Sequence, residues 1–395
     1  MGHNRGVFLA HISLKDPRRC LAGSGLVALL GLASLNACGV SDPAAPVDGG
    51  ETQTREDSGD VQRAHGDSAT RPDAATRPDA AEPPDADTVQ SPDATLAAPC
   101  NGAAVSCDRP FNEVAQACTH NAMSSKAYRF IIPTPNQMRS LTEQLDSGVR
   151  CLMLDTYAFE DELYLCHGVC GNWGKLLLAD ALAEIAAWLR AHPRDIVTFI
   201  LEAKITEPQT LGALAAAGLA SADGMADARF PLFHAAGGPG TPWPTLRDMI
   251  ETNARLVVFT DDPAATGGWH LHWPSWGWET PYNDPTFTCA HGRGDPGGNP
   301  HPVFILNHYS LGAGGGDERI STGNNAYDSI LEHGRRCAQV TPDDNPLGVG
   351  PTFVNVDHFH VPTSGGETDR PDVVDAVDAI NEDRAGEDRA RDDGP

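Results

Sequence analysis

The sequence predicts an α/β fold and, within that class, a TIM-type (β/α) barrel. Short apolar runs of strand length alternate with segments of helical periodicity, as in parallel sheets that are buried on both faces. Several of these runs end in a polar residue, and the C-terminal strand ends of a parallel barrel meet in one mouth. A doubly wound sheet would alternate in the same way, but no glycine-rich phosphate fingerprint follows the first strand. We therefore favour the barrel.

Six apolar runs are predicted to be buried parallel strands. They are Cys151–Leu154, Leu163–Cys166, Ile196–Leu201, Leu256–Phe259, Val303–Leu306 and Phe353–Val356. The segment Asp180–His192 carries apolar residues at i, i+3, i+4 and i+7, which predicts a helix with one buried face that Pro193 ends. A last helix is predicted over Asp372–Asn381, since Pro371 stands at its start.

The folded domain is predicted to span residues 100–381, which is long enough for one substantial core. Residues 39–99 are rich in Ala, Pro and Asp and hold almost no large apolar side chains, so we expect a disordered linker. The acidic run over residues 382–395 is likewise predicted to be a disordered tail.

Residues 1–38 have the pattern of an export signal. Arg18-Arg19 precede an apolar stretch that is too short to span a membrane comfortably. The stretch ends in Ala37-Cys38-Gly39, which resembles a bacterial lipobox, in which the cysteine is acylated and becomes the mature N-terminus. We expect an exported lipoprotein, anchored to the cell envelope through Cys38. An ordinary secretion signal with an incidental cysteine is the alternative.

Charge and cysteine content narrow the class of protein. With 28 Lys+Arg against 54 Asp+Glu the net charge is -26, which argues against a nucleic-acid partner. Ten cysteines favour an oxidising compartment. Without Cys20 and Cys38 eight remain, an even number. We expect the pairs Cys100/Cys107, Cys166/Cys170 and Cys289/Cys337, with Cys118 and Cys151 as buried thiols or a fourth bridge.

Three segments concentrate side chains that suit catalysis. They are Ala117–Met123, the stretch from Gly148 through Asp155 to Gly168, and Phe199–Glu202. The first two each contain a histidine, and two histidines can divide the roles of base and acid near neutral pH. The oxygen donors in these segments are of the hard kind that Ca²⁺ or Mg²⁺ prefers.

Together these segments resemble the X-domain of phosphatidylinositol-specific phospholipases C, and most closely its secreted bacterial and fungal branch. The resemblance covers about residues 101–381 and lies within the superfamily of barrel-fold, PLC-like phosphodiesterases. It implies a phosphoric diester hydrolase or lyase that cleaves a phospholipid or phosphoinositide headgroup through a neighbouring hydroxyl. By resemblance, His120 is the general base and His167 is the general acid.

The resemblance also implies a metal site for Ca²⁺ or Mg²⁺. Asn121, Asp155 and Glu202 match three ligand positions of the calcium-dependent branch. Met153 departs from the pattern, because an acidic ligand stands there in the family. The metal-independent branch has an arginine in place of Asp155, and this chain does not. The alternative is that these acids belong to an internal polar network.

Four further features have two or more interpretations. Asp357 could orient His120, or bond a nearby loop. Lys204 and Arg150 are candidate substrate-binding residues, with a solvated and a structural role as the respective alternatives. The cluster Trp269–Trp278 could contact substrate or membrane, pack a loop, or supply a zinc site through its His-x-His pair.

The expected partners are a lipid or phosphoinositide substrate and the membrane, and we expect a monomer. Two other functions stay open. The enzyme could act on a lysophospholipid or sphingolipid headgroup, or the domain could be a non-catalytic binding module on the same fold. Retention of both His120 and His167 argues against the module.

Overall fold

The computed structural model describes residues 98–131, 134–171, 174–265, 268–312, 315–362 and 370–392. The expected signal peptide with Cys38, and nearly all of the expected linker, lie outside these residues. Within the described part of the chain, no helix is both long and apolar enough to span a membrane.

The described residues form one sheet of eleven strands. These are β1 Gln116–Thr119, β2 Cys151–Phe159, β3 Glu162–Cys166, β4 Lys175–Leu177, β5 Val197–Lys204, β6 Leu256–Thr260, β7 His270–His272, β8 Gly277–Glu279, β9 Arg293–Gly294, β10 Val303–Asn307 and β11 Phe353–Val356. Eight pair in parallel in the order β7-β6-β5-β2-β1-β11-β10-β8, and no ladder among described residues joins β7 to β8. The fold is therefore a (β/α) barrel that is open on one side, and the predicted fold class is confirmed.

The remaining strands are antiparallel additions to this barrel. β3 pairs with β2, β4 pairs with β3, and β9 pairs with β8. The prediction that Leu163–Cys166 is a parallel strand was wrong. Glu160 and Asp161 both have positive φ between the paired residues Phe159 and Glu162. Two such residues make the tight turn of a β-hairpin, which reverses the chain.

The helices lie mainly between consecutive strands of the barrel. They are α1 Leu141–Asp146, α2 Leu178–Ala191, α3 Glu207–Ala216, α4 Leu246–Glu251, α5 Trp273–Trp276, α6 Glu318–Asn324, α7 Tyr327–Cys337 and α8 Asp372–Asp392. The helix expected over Asp180–His192 is present as α2, and it buries Leu182, Ile185 and Leu189 against the sheet. The 3.6-residue periodicity therefore located both the helix and its buried face.

The acidic run at the C-terminal end is helical, and the prediction that it is disordered was wrong. α8 does not end at Asn381 but continues to Asp392. Arg384 donates to two backbone carbonyls at 2.7 and 3.0 Å, and Asp383 forms an ion pair with Arg335 on α7 at 2.8 Å. These long-range contacts order a segment whose composition alone favours disorder.

Side chains of the strands divide between the barrel interior and the helix-covered outer face. In β10 the interior cluster contains Val303 and Ile305, whereas Phe304 and Leu306 pack against the helices. Successive side chains of a strand point to opposite faces, so the next residue, Asn307, belongs to the interior. The same parity places alternate residues of β2 and β5 on the inner wall.

Four disulfides cross-link the described residues. Three are the expected pairs, and the fourth joins Cys118 to Cys151, which are register partners on β1 and β2. The cysteines whose state was left open are therefore a bridge inside the barrel.

Candidate active site

The candidate active site is a cavity of about 440 Å³ at the C-terminal ends of the parallel strands, here called the mouth. The structure brings together in it five residues that the sequence singled out, although they come from four different segments. They are His120 and Asn121 after β1, Asp155 on β2, His167 after β3, and Glu202 on β5. Pairing of β2 with β1, β3 and β5 makes these segments neighbours, and the parallel strands among them end on the same side of the sheet.

The imidazole of His120 is oriented by a hydrogen bond to a buried carboxylate. Its Nδ1 lies 2.9 Å from Oδ1 of Asp357, which follows β11 and is fully buried. Asn136 donates to the same oxygen at 2.9 Å, and the Tyr309 ring stacks on the imidazole with centroids 4.0 Å apart. Because a carboxylate accepts, Nδ1 carries the proton, and the Nε2 lone pair of His120 is left for a second partner.

His167 lies on the other side of Asn121 from His120. The Nδ2 atom of Asn121 lies 3.2 Å from Nε2 of each imidazole, so one amide bridges the two rings. Ser124 Oγ lies 3.3 Å from Nδ1 of His167, and the Cys166–Cys170 disulfide closes the turn around it. Burial and the neighbouring His120 lower the pKa of His167.

Two carboxylates on adjacent strands face the same space. Asp155 and Glu202 are register partners on β2 and β5. Asp155 is only 6% exposed, and burial together with the charge of Glu202 raises its pKa well above the usual range. Lys204 pairs with Glu202 at 3.0 Å, so it reaches the mouth through this carboxylate. No ion pair of Asp155 occurs among the described residues.

The chemistry of this donor set fits a hard divalent cation, in an open arrangement. Asn121, Asp155 and Glu202 offer oxygens, and Asp261 adds a carboxylate to the same cavity. These carboxylate oxygens do not lie within 4.8 Å of one another as a group of three, so the donors are spread around the mouth. Met153 also lines the mouth, and its thioether is a poor ligand for such an ion.

Arg150 does not belong to the mouth, and its assignment as a substrate-binding residue is corrected. It precedes β2 and therefore lies at the N-terminal end of the strand, where it lines a separate cavity. Its guanidinium donates to Asp195 at 3.0 Å and to the carbonyls of Leu145 and Val149 at 2.7 and 2.8 Å. With its donors satisfied in this way, Arg150 connects chain segments and is a structural residue.

Sequence reasoning missed several polar residues of the mouth, of which four bear on its chemistry. They are Asp261, Glu279, Arg293 and Tyr309. Asp261 follows the apolar strand β6, so a polar residue at a strand end could have revealed it. Arg293 forms an ion pair with Glu279 and lies 5.1 Å from the Trp273 ring centroid. That pair depends on β8 meeting the two-residue strand β9, for which the sequence offers no signal.

The tryptophan cluster is mostly packing. Trp269, Trp276 and Trp278 are buried, and Trp273 is buried while also lining the mouth. In the described part of the chain, the two histidines of the cluster join no group of metal-binding side chains. The loop-packing interpretation therefore covers most of the cluster, and Trp273 is the member of the cluster that also lines the mouth.

An open parallel barrel with two histidines and a buried carboxylate at its mouth defines the class of PLC-like phosphodiesterase folds. The family model described as PI-PLC X matches residues 106–364, which is more than half of the chain. The protein belongs to the PI-PLC X family.

Relatives with this domain occur in plants and fungi. A PI-PLC X domain-containing protein of Arabidopsis thaliana is 38% identical over 160 residues, which cover 38% of this chain and 36% of that protein. PI-PLC X domain-containing protein 1 of Arthroderma benhamiae is 32% identical over 53% of this chain and 68% of its own length. An uncharacterized secreted protein of the same fungus is 29% identical, with 51% and 45% covered. The chain thus spans less than half the length of two of these relatives.

Among solved structures, the chain is similar to a mutant of the phosphatidylinositol-specific phospholipase C of Staphylococcus aureus. The match covers 68% of this chain and 94% of the Staphylococcus aureus chain, at 14% identity and a TM-score of 0.44.

Proposed function

We propose that this protein is a phosphodiesterase that cleaves the headgroup diester of a phospholipid or phosphoinositide by acid–base catalysis with two histidines. The observation that carries the proposal is the pair His120 and His167. Both imidazoles face one amide in one cavity, and only His120 is backed by a carboxylate. That asymmetry suits two different roles for two chemically identical groups.

In the proposed reaction, Nε2 of His120 takes the proton of a headgroup hydroxyl beside the phosphate. The hydroxyl oxygen then forms a bond to phosphorus, which gives a cyclic phosphodiester, and the bond to the lipid alkoxide breaks. Asp357 stabilises the imidazolium that forms and keeps the ring in one tautomer. His167 gives its proton to the leaving alkoxide, so one proton is taken up and one is released.

His167 must be protonated to act in this way, although its pKa is lowered in the free protein. A bound phosphate brings negative charge to the mouth, and a nearby negative charge favours imidazolium. Arrival of the substrate would therefore help to protonate the acid at the moment it is needed.

We further propose that Asn121, Asp155 and Glu202 hold Ca²⁺ or Mg²⁺, with Asp261 supplying the carboxylate that is missing at Met153. When bound, such an ion neutralises charge on the phosphate oxygens. The acidity of the mouth supports this part of the proposal, because carboxylates that face a phosphate without a cation would repel it.

The test is phosphorus NMR of vesicles that contain phosphatidylinositol, incubated with the protein in excess Ca²⁺. A cyclic phosphate product that requires both His120 and His167 supports the proposal. Lysophospholipid micelles and sphingomyelin vesicles in parallel samples would identify a different headgroup. If the protein binds vesicles but turns over none of these diesters, the domain is a binding module and the proposed function is wrong.

We also propose that the protein is exported and anchored through an acylated Cys38. The four disulfides and a relative named as secreted support export, and the proposal of an anchor rests on the lipobox-like sequence alone. In a bacterial host, the wild type should fractionate with membranes and carry acyl groups on its first residue by mass spectrometry. Cys38→Ala should yield a soluble or unprocessed chain. An unlipidated mature wild type that begins elsewhere would contradict the anchor.

A further inference from the structure

Outside the mouth, one disulfide has a histidine against it. Cys289 in the loop after β8 is bonded to Cys337 at the end of α7, and His333 lies one turn before Cys337 on the same helix. A ring nitrogen of His333 and the two sulfurs all lie within 4.8 Å of one another. Within the described ranges, this is the only set of three or more His, Cys, Asp or Glu side chains whose ligand atoms all lie within 4.8 Å of one another.

The protonation of His333 follows from its hydrogen bonds. Nδ1 of His333 lies 2.8 Å from Nδ1 of His308, and Nε2 of His308 lies 2.8 Å from the carbonyl oxygen of Asn324. A carbonyl only accepts, so His308 donates from Nε2 and accepts at Nδ1. His333 therefore donates from Nδ1 and carries its lone pair on Nε2.

That lone pair has no donor. Nε2 of His333 is buried and has no hydrogen bond of ordinary geometry among the described residues, and the ring's further polar neighbour is the Thr288 backbone, which accepts and favours the protonated imidazole. Buried polar atoms without a partner are rare and costly in folded proteins. A metal ion would use this nitrogen, and a histidine that binds metal commonly has its other nitrogen held in this way.

We propose that Cys289, Cys337 and His333 form a zinc-class metal site that is closed by the disulfide and opened by its reduction. A thiol reductant supplies two electrons and two protons: the S–S bond breaks, two cysteine thiols form, and the reductant becomes a disulfide. Metal binding then releases the two thiol protons and leaves two thiolates and Nε2 as ligands, with water in a fourth position.

The chain contains its own control for this proposal. The Cys118–Cys151 disulfide is fully buried, whereas Cys289 is only partly buried, and among the described residues no histidine completes a metal-binding group beside Cys118 and Cys151. After reduction, both pairs would offer two close sulfurs, and only one would offer a third ligand. A metal that merely binds paired thiols would not distinguish them.

The experiment measures alkylation of each cysteine in the full chain by peptide mass spectrometry, after anaerobic reduction with a phosphine that is then removed. Zn²⁺ should slow the alkylation of Cys289 and Cys337 and leave the alkylation rates of Cys118 and Cys151 unchanged. His333→Phe should abolish the protection, and His308→Ala should weaken Zn²⁺ affinity roughly 10–100-fold, as loss of a ligand-orienting partner does. In the unreduced protein, Zn²⁺ should not bind at this position.

Three outcomes would overturn the proposal. They are equal protection of both cysteine pairs, protection of neither, and Zn²⁺ binding that His333→Phe leaves unchanged. Circular dichroism of the reduced protein accompanies each sample. If reduction abolishes the fold and Zn²⁺ does not restore it, the site does not exist as a metal site and the proposal is likewise wrong.

Discussion

The two ends of the barrel bury charged groups to a similar degree but compensate them differently. At the N-terminal end of β2, Arg150 is 9% exposed and is bound by a carboxylate and two carbonyls. At the mouth, Asp155 on the same strand is 6% exposed, yet its register partner, and the charge that acts most on its pKa, is another acid, Glu202. A buried charge with its partners present holds a fold together, whereas one without them marks a place for a bound group.

Strand parity explains why one strand can contain both arrangements. The inner face of β2 carries Cys151, Met153 and Asp155 in turn, which are a disulfide, an apolar side chain and an acid. Within a few residues, the inner face of β2 therefore changes from a cross-linked interior at its N-terminal end to the polar mouth at its C-terminal end. Stability and chemistry are thus separated along the strand direction rather than between domains.

The largest expected effect is a loss of turnover from substitutions in the mouth, with no change in the stability that the other end of the barrel provides. His120→Ala and His167→Ala should each lower turnover by roughly 10²–10⁴-fold, the usual contribution of a positioned acid or base. Thermal unfolding should stay close to that of the wild type. His234→Ala, in a cavity separate from the mouth, is the matched control and should keep full activity. Wild-type turnover in either mouth variant would show that the assigned roles are wrong.

The next largest effect is a loss of stability from a substitution at the N-terminal end of the barrel. Arg150→Met removes a buried cation and leaves the partly buried Asp195 without its partner, which should lower the free energy of unfolding by up to about 3 kcal/mol in a urea titration. The kcat/KM of the folded fraction should not change. Replacing both partners, as Arg150→Met with Asp195→Leu, should recover part of the loss. If the Arg150→Met variant kept its stability but had a lower kcat, Arg150 would be a substrate-binding residue after all.

The sequence predicted the mouth better than it predicted the edges of the fold. Apolar runs followed by a polar residue locate Asp155 and Glu202, and the same rule would have located Asp261. Barrel geometry also excludes Arg150 from the mouth, since a residue that begins a strand lies at the other end. By contrast, Arg293 and the second half of α8 depend on contacts between distant segments. No local pattern encodes such contacts.

A smaller effect tests whether a cation compensates the acids of the mouth. Asp155→Asn should raise the Ca²⁺ concentration needed for half-maximal activity roughly tenfold or more, because loss of even a ligand-orienting partner has an effect of that size. Activity of the wild type should fall in chelator and return with excess Ca²⁺. Asp262→Asn, outside the mouth, is the control.

The same variant has a readout besides activity. The folded-state pKa of Asp155 is raised, so its stabilising contribution is present at low pH and is lost as pH rises through that pKa. In chelator near pH 7, Asp155→Asn should therefore unfold at a higher temperature than the wild type, and Ca²⁺ should stabilise it less. Full activity in chelator, with no effect of Ca²⁺ on unfolding, would mean that Asp155 has another role.

The smallest effect is a shift in pH dependence that separates the two histidines of the mouth. A lowered pKa means that His167 binds its proton more weakly, so a smaller fraction is protonated at any given pH. Because kcat/KM reports the free enzyme, its alkaline limb should lie below the ordinary histidine value of about 6.5. In the complex the phosphate charge raises the pKa of His167, so the alkaline limb of kcat should lie at higher pH. Ser124→Ala removes a weak hydrogen-bond partner of His167. This variant should lower kcat by less than about tenfold and should shift the alkaline limb of kcat/KM. An alkaline limb of kcat/KM well above pH 7, unmoved by Ser124→Ala, would assign the acid to a group other than His167.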